Sequence, residues 1–208
     1  MRTLAIETAS EACSVSLFEG DQRIAGDHQV LGRGHAEALL PMIAALPDKG
    51  KAQRILVSLG PGSFTGVRVG LAAARALGVA WKAQVLGYPT MHLLAAQGHA
   101  VEEREITVCM NGGHGEWFVQ NFASDASAIN DVQSLTPERV AETGAYGMIV
   151  GNRAKECAQL LGAGYQALDI LPDASSVYLI NKSILTSDLR PIYGRAPDAK
   201  PQTATARK

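Results

Sequence analysis

The sequence predicts a mixed α/β protein built from two related lobes. Three observations carry this reading. Residues 2–8, 13–18 and 22–31 read as three consecutive antiparallel strands. A helix, a strand and a long helix follow them. Beyond about residue 104 a second strand-rich stretch restarts the pattern. The boundary falls at residues 98–104 and divides 1–100 from 101–208. A single doubly wound sheet is the competing architecture.

Each element has a local reason. Leu4-Ala5-Ile6 is a buried apolar run, and residues 13–18 alternate with period two. Gly20-Asp21 is a hairpin turn signal. A helix is expected over 34–46, a strand over 54–59, and a helix over 65–82 capped by Ser63 or Thr65. A short strand at 84–87 precedes a helix through residue 96, with Thr90 as its cap. In the second half, strands are expected at 105–110 and 115–122 around a glycine-rich turn. Thr136-Pro137-Glu138 starts a helix with a cap residue, a first-turn proline and an acid. A strand at 146–150, a helix at 152–161 ended by Gly162, and a helix at 175–186 complete the chain.

The composition narrows the function. Of 208 residues 47% are hydrophobic, enough to bury a sizeable core. The formal net charge is −1, without the basic stripe of a protein that holds RNA by itself. The only dense basic run, residues 195–208, lies in a Pro-, Ala- and Thr-rich tail and reads as solvated and mobile. Cys13, Cys109 and Cys157 are far apart, which argues against a disulfide framework and reads as three buried small hydrophobes. No apolar stretch is long enough to span a membrane, and the start of the chain lacks a secretory pattern. A cytoplasmic protein is expected.

Two helices are too apolar for a surface position. The first runs from His35 through Leu39, Met42 and Ile43 to Leu46 with apolar residues on almost every side. The second holds only Thr65, Arg68, Arg75 and Lys82 as polar residues, and Gly66, Gly70, Ala73 and Ala74 allow close helix approach. The expected interface comprises His35, Leu39, Met42, Ile43, Leu46, Arg68, Leu71, Ala74 and Arg75, with the two arginines at its rim or in a partner's cleft.

Between the strand at 54–59 and the long helix lies Gly60-Pro61-Gly62-Ser63-Phe64-Thr65-Gly66. Gly60, Gly62, Ser63, Thr65 and Gly66 could cradle a phosphate. They serve equally well as a tight turn with a helix cap. The spacing fits neither a Walker A loop nor a dinucleotide fingerprint. No two histidines have the helical spacing of a metal pair, and Ser63 is not in a nucleophile elbow. Glu7 reads as a polar residue that fixes the first hairpin.

Several segments together resemble the TsaB (YeaZ) family. They are residues 4–15, His35-Ala36-Glu37 with Leu39-Leu40-Pro41, the loop from Gly60 through Arg68, and Pro191-Ile192-Tyr193 with Arg195-Ala196-Pro197. The resemblance implies an actin-like ATPase fold of sugar-kinase and heat-shock-protein type, RNase H-like, with two related lobes. It implies a non-catalytic subunit needed to make N6-threonylcarbamoyladenosine at position 37 of tRNA. The implied partners are the transferase TsaD, bound through a bundle of the two apolar helices, and the small ATPase TsaE. The chain alone is expected to pair with itself through the same surface, and tRNA to be met only through the complex. No cofactor is expected on the chain alone, with ATP or ADP and Mg at the partner interface as the implied nucleotide. The superfamily also carries a glycoprotease-like, M22 peptidase label, for which the sequence supplies no chemistry. One departure stands out: the family's Asp-Ala-Arg, one further residue, then Gly-Glu is here Asn111-Gly112-Gly113-His114-Gly115-Glu116. An independent actin-like ATPase or kinase is the alternative, and a metalloprotease the least supported.

Overall fold

The computed structural model describes residues 1–195. The Ala196-Pro197 end of the terminal motif and the tail expected to be mobile lie outside the described residues.

Two five-stranded sheets form, which removes the single-sheet alternative. The first comprises β1 (Arg2–Glu7), β2 (Ala12–Glu19), β3 (Gln22–Val30), β4 (Arg54–Ser58) and β5 (Gln84–Tyr88), in the order β3-β2-β1-β4-β5. Strands β1 to β3 are antiparallel, and β4 and β5 join parallel to β1. The second sheet repeats this plan with β6 (Ile106–Gly113), β7 (Glu116–Phe122), β8 (Gln133–Leu135), β9 (Met148–Val150) and β10 (Gln166–Leu168). Its order, β8-β7-β6-β9-β10, matches the first position for position, with the same pattern of antiparallel and parallel pairs.

Alternation along the central strands assigns the layers. Leu4 and Ile6 face α1 (His35–Ala45) and α2 (Phe64–Trp81), while Ala5 faces the opposite side. On β6, Ile106, Val108 and Met110 face α3 (Thr90–His99), and Cys109 faces the α4 (Pro137–Thr143) and α5 (Ala154–Leu161) side. All three cysteines are free and buried, as expected.

Helix α3 lies between the two sheets. Leu93 and Ala96 pack on the first, and Met91, Leu94 and Ala95 on the second. This is the helix that buries opposite faces, a role the sequence reading gave to α1 and α2. Thr90 does not cap it: Pro89 holds that position, and the Thr90 hydroxyl lies 2.5 Å from Ser58 Oγ. Ser63 does cap α2, its Oγ accepting from the Gly66 amide.

The expected helix at 175–186 is two short 3-10 turns, Ala174–Leu179 and Lys182–Ile184. Extended backbone at Ile180 separates them, and the Asn181 side chain caps the second turn. The reason is where the chain must go. Thr186 and Gly87 exchange backbone hydrogen bonds at the free edge of β5. Residues 186–195 then form a strap. Ile192 donates its amide to the Leu59 carbonyl, Leu189 and Ile192 pack on the first core, and Gly194 abuts Phe118 of the second sheet.

Candidate functional site

The helix pair and the glycine loop are the two places where the sequence points to function, and the structure adds the space between the lobes. In the helix pair, the structure turns most of the nine expected interface residues inward. His35, Leu39, Met42, Ile43, Leu46, Leu71 and Ala74 are buried in the chain's own first lobe. The His35 ring nitrogen Nε2 lies 2.9 Å from the Ser10 carbonyl and 3.2 Å from that of Ala12, pinning α1 to the β1–β2 turn. These side chains therefore serve the core, because they are the ones whose register faces β1 and β4. Arg68 and Arg75 are exposed as expected.

The outward face of the pair is still apolar. On α1 it shows Leu40 (53% exposed), Pro41 and Ala44, and on α2 it shows Ala72, Ala76 and Val79 (83% exposed). Arg68, Ala72, Arg75 and Val79 follow at intervals of four, three and four residues, which places them on one stripe of α2. Both arginines are held by the chain's own strap. Arg75 Nη2 donates to the Leu189 carbonyl at 2.7 Å. Arg68 Nη2 donates to the Tyr193 hydroxyl at 2.7 Å, with its guanidinium 3.2 Å above the Phe64 ring centre. The terminal Tyr193 is thus part of the site, and its link to Arg68 spans a sequence separation that no local pattern reports.

The glycine loop is closed by its neighbours. A side chain at Gly62 would collide with the Ala9 carbonyl, and one at Gly66 with the Thr8 carbonyl. At Gly60 it would meet the Ile192 carbonyl at 3.1 Å. The Ser63 amide donates to Ala9 at 2.7 Å, and the Thr8 hydroxyl to Gly66 at 2.8 Å. These glycines let the loop and α2 close onto the β1–β2 turn, while Gly62 and Ser63 also border the space between the lobes. Ser63 is used as the helix cap, and Thr65 is exposed.

Glu7 is fully buried at the end of β1. Its Oε1 accepts the Ala9 amide at 2.7 Å, so it fixes the hairpin turn as expected. Its Oε2 has no partner among the described residues. Burial pushes the carboxyl up to about 7, against the smaller opposing effect of the hydrogen bond from the Ala9 amide.

A cleft of about 830 Å³ lies between the lobes. Ser10, Glu11, Phe64 and Arg68 line one side, Asn111, His114 and Asn152 the other, and Tyr193 belongs to the strap. Asn152 ties the lobes together: its Nδ2 donates to Glu11 Oε2 at 2.7 Å, and its Oδ1 accepts the Asn111 amide at 2.9 Å. The altered loop therefore connects to the first lobe through Asn152, while Glu116 accepts from Ser134 and pairs with Arg195. No group of three metal-ligating side chains occurs among the described residues. Among them no helix is long and apolar enough to cross a membrane.

Comparison with known proteins adds the following. Residues 29–174 match the family model described as "TsaD: tRNA N6-adenosine threonylcarbamoyltransferase". The chain is 27% identical to the tRNA threonylcarbamoyladenosine biosynthesis protein TsaB of Escherichia coli K12, over 94% of this chain and 95% of that one. The protein of the same name from Haemophilus influenzae is 36% identical over 105 residues, covering 48% of this chain and 43% of its own length. Among solved structures, YeaZ from Pseudomonas aeruginosa superposes with a TM-score of 0.75 at 21% identity, covering 92% of this chain and 99% of that one. The ethanolamine utilization protein EutJ of Carboxydothermus hydrogenoformans superposes with a TM-score of 0.51 at 8% identity, covering 87% and 90%. These likenesses show the fold as the two-lobed, actin-like ATPase type.

Proposed function

The chain belongs to the family described as TsaD: tRNA N6-adenosine threonylcarbamoyltransferase, in its TsaB/YeaZ branch, and from that premise we propose that it serves tRNA N6-threonylcarbamoyladenosine biosynthesis as a non-catalytic subunit that binds and activates TsaD. The observation that carries the docking half of this reading is the outward face of α1 and α2. Leu40, Pro41, Ala72, Ala76 and Val79 lie exposed on adjacent helices that pack on each other. An apolar patch of this kind gains free energy when a partner covers it, and its small residues let a partner helix come close. The same face is where two copies would pair in the absence of TsaD. In this reading TsaE joins the assembly, tRNA is held by the partner, and the complex works in the cytoplasm.

Nothing in the chain's chemistry is asked to perform the transfer. The residues do not fit a magnesium nucleotide held as Glu7 and the glycine loop would have to hold it. Glu7 is fully buried and does not line the cleft, so its carboxylate cannot reach a metal beside a nucleotide held there, and Ser63 Oγ is spent on capping α2. The chain alone is therefore read as carrying no cofactor. The inter-lobe cleft is the one feature that favours the alternative, an independent nucleotide-binding protein. Heat on titrating magnesium-ATP into the isolated chain would favour that alternative.

The test is co-purification with the TsaD of the same organism, followed by assay of threonylcarbamoyladenosine on tRNA with and without this chain. Val79→Asp and Leu40→Asp should keep the fold and abolish both the complex and the dependence. Normal complex formation by both variants would remove α1 and α2 as the docking face.

A further inference from the structure

The docking face has a charge asymmetry. Residues 49–101 contain no aspartate or glutamate but carry Lys49, Lys51, Arg54, Arg68, Arg75 and Lys82. The chain as a whole has a formal charge of −1, so this segment concentrates positive charge on the lobe that contains α2. Arg68 and Arg75 stand on the exposed stripe of α2, on either side of Ala72.

Both arginines are fixed by neutral groups. Arg68 donates to the Phe64 carbonyl at 3.2 Å and to the Tyr193 hydroxyl, and Arg75 donates to the Leu189 carbonyl. No carboxylate of the described residues pairs with either. The acids on neighbouring elements are few. Glu37 is exposed on α1, and Asp188 of the strap is already paired with Arg190. Each guanidinium has five N–H donors, so both keep donors beyond those bonds. Prepositioning by the strap also lowers the side-chain entropy lost when a partner binds.

We propose that the exposed face of α2 docks an acidic partner segment, with carboxylates received by Arg68 and Arg75 and apolar contact made at Ala72 between them and at Val79 beyond Arg75. This rests on the docking reading above and adds the charge of the element that docks. The strap supports the site, because Leu189 and Tyr193 set where the two guanidinium groups stand. The arginines supply steering and register, and the apolar residues of the same face, Val79 above all, supply the buried area.

Binding of the full chain to the TsaD of the same organism, measured by calorimetry or surface plasmon resonance, tests this. Wild-type affinity should fall about tenfold or more as salt rises from about 50 to about 500 mM, chiefly through the association rate. Arg68→Glu with Arg75→Glu should weaken binding at least about tenfold at low salt and flatten the salt dependence. Arg68→Lys with Arg75→Lys should keep the salt dependence, since charge is kept, while losing part of the affinity with the strap contacts. If Val79→Asp abolishes binding while affinity ignores both salt and the Glu substitutions, the face docks but the acidic partner is wrong. If Val79→Asp also binds normally, the docking reading falls and takes this proposal with it. The salt titration uses the wild-type chain, so a double variant that failed to fold would still leave the proposal exposed to refutation.

Discussion

Thr8 grips Gly66 from two directions. Its hydroxyl donates to the Gly66 carbonyl at 2.8 Å, while its own carbonyl occupies the space a Gly66 side chain would need. The obstacle is backbone and cannot swing aside. Gly66→Ala should therefore cost about 3 kcal/mol or fail to fold, near the upper end of the usual overpacking penalty. Gly113→Ala meets no atom nearby and bears only the strain of its positive φ, so it should cost about 1 kcal/mol. Urea denaturation of both variants checks the difference.

Adjacent leucines on α1 should separate stability from docking. Leu39 is 1% exposed and Leu40 is 53% exposed. Leu39→Ala should lose about 2–5 kcal/mol by opening a core cavity. Leu40→Ala should change stability by about 0.5 kcal/mol or less. Equal losses in equilibrium denaturation would mean that α1 is rotated from the orientation described.

Glu7 should make stability fall with rising pH. Its folded value of about 7 lies above the ordinary carboxyl value of 4.5 that holds in the unfolded chain. Below about 4.5 both states hold the proton and the group contributes nothing to the difference. As pH rises to about 7 the unfolded chain ionises first, which stabilises unfolding, and above about 7 the penalty is constant at roughly 3 kcal/mol. The stability of Glu7→Gln minus that of wild type should therefore grow by about this amount between pH 4.5 and 8. A difference that stays flat in denaturation at both pH values would show that Glu7 is ionised at little cost.

Asn152 is the polar tie between the lobes, with Glu11 on one side and the Asn111 amide on the other. Asn152→Ala should cost about 1 kcal/mol, most of it on the part-buried Glu11 side, since the Asn111 amide is exposed and can turn to water. Amide hydrogen exchange should rise at Asn111 and its neighbours, while the β4 amides stay protected. Unchanged exchange at Asn111 would show that the loop is held by other contacts.

How much of this could be read from the chain alone depended on the range of each interaction. The restart of strands beyond residue 104 is visible because period-two runs and turn residues are local, while the matching strand order of the two sheets is not. The three-residue strands β8 and β10 were not, since Gln133-Ser134-Leu135 and Gln166-Ala167-Leu168 are too short to show a period. The apolar character of α1 was plain, but hydropathy treats Leu39 and Leu40 alike, and only the register against β1 and β4 chooses between them. The glycines of the loop were equally visible, and close packing and phosphate binding call for the same residue. Glu7 was correctly read as a turn fixer, while its burial depends on Ser58 and Tyr88, brought in by β4 and β5. Arg68 and Arg75 were recognised as a pair. Their hold on Tyr193 and Leu189 depends on the pairing of Thr186 with Gly87, at the point where the expected helix over 175–186 would end.

The strap also has a consequence for the order in which the protein can mature. Strands β1 to β5 are complete by Tyr88, yet the free edge of β5 and part of the first core wait for Thr186, Leu189 and Ile192. A growing chain leaving the ribosome therefore exposes an open strand edge beside an apolar groove while the next hundred residues are made. A segment made about a hundred residues after β5 closes the first unit to form, so termination anywhere before Thr186 would leave an adhesive nascent product.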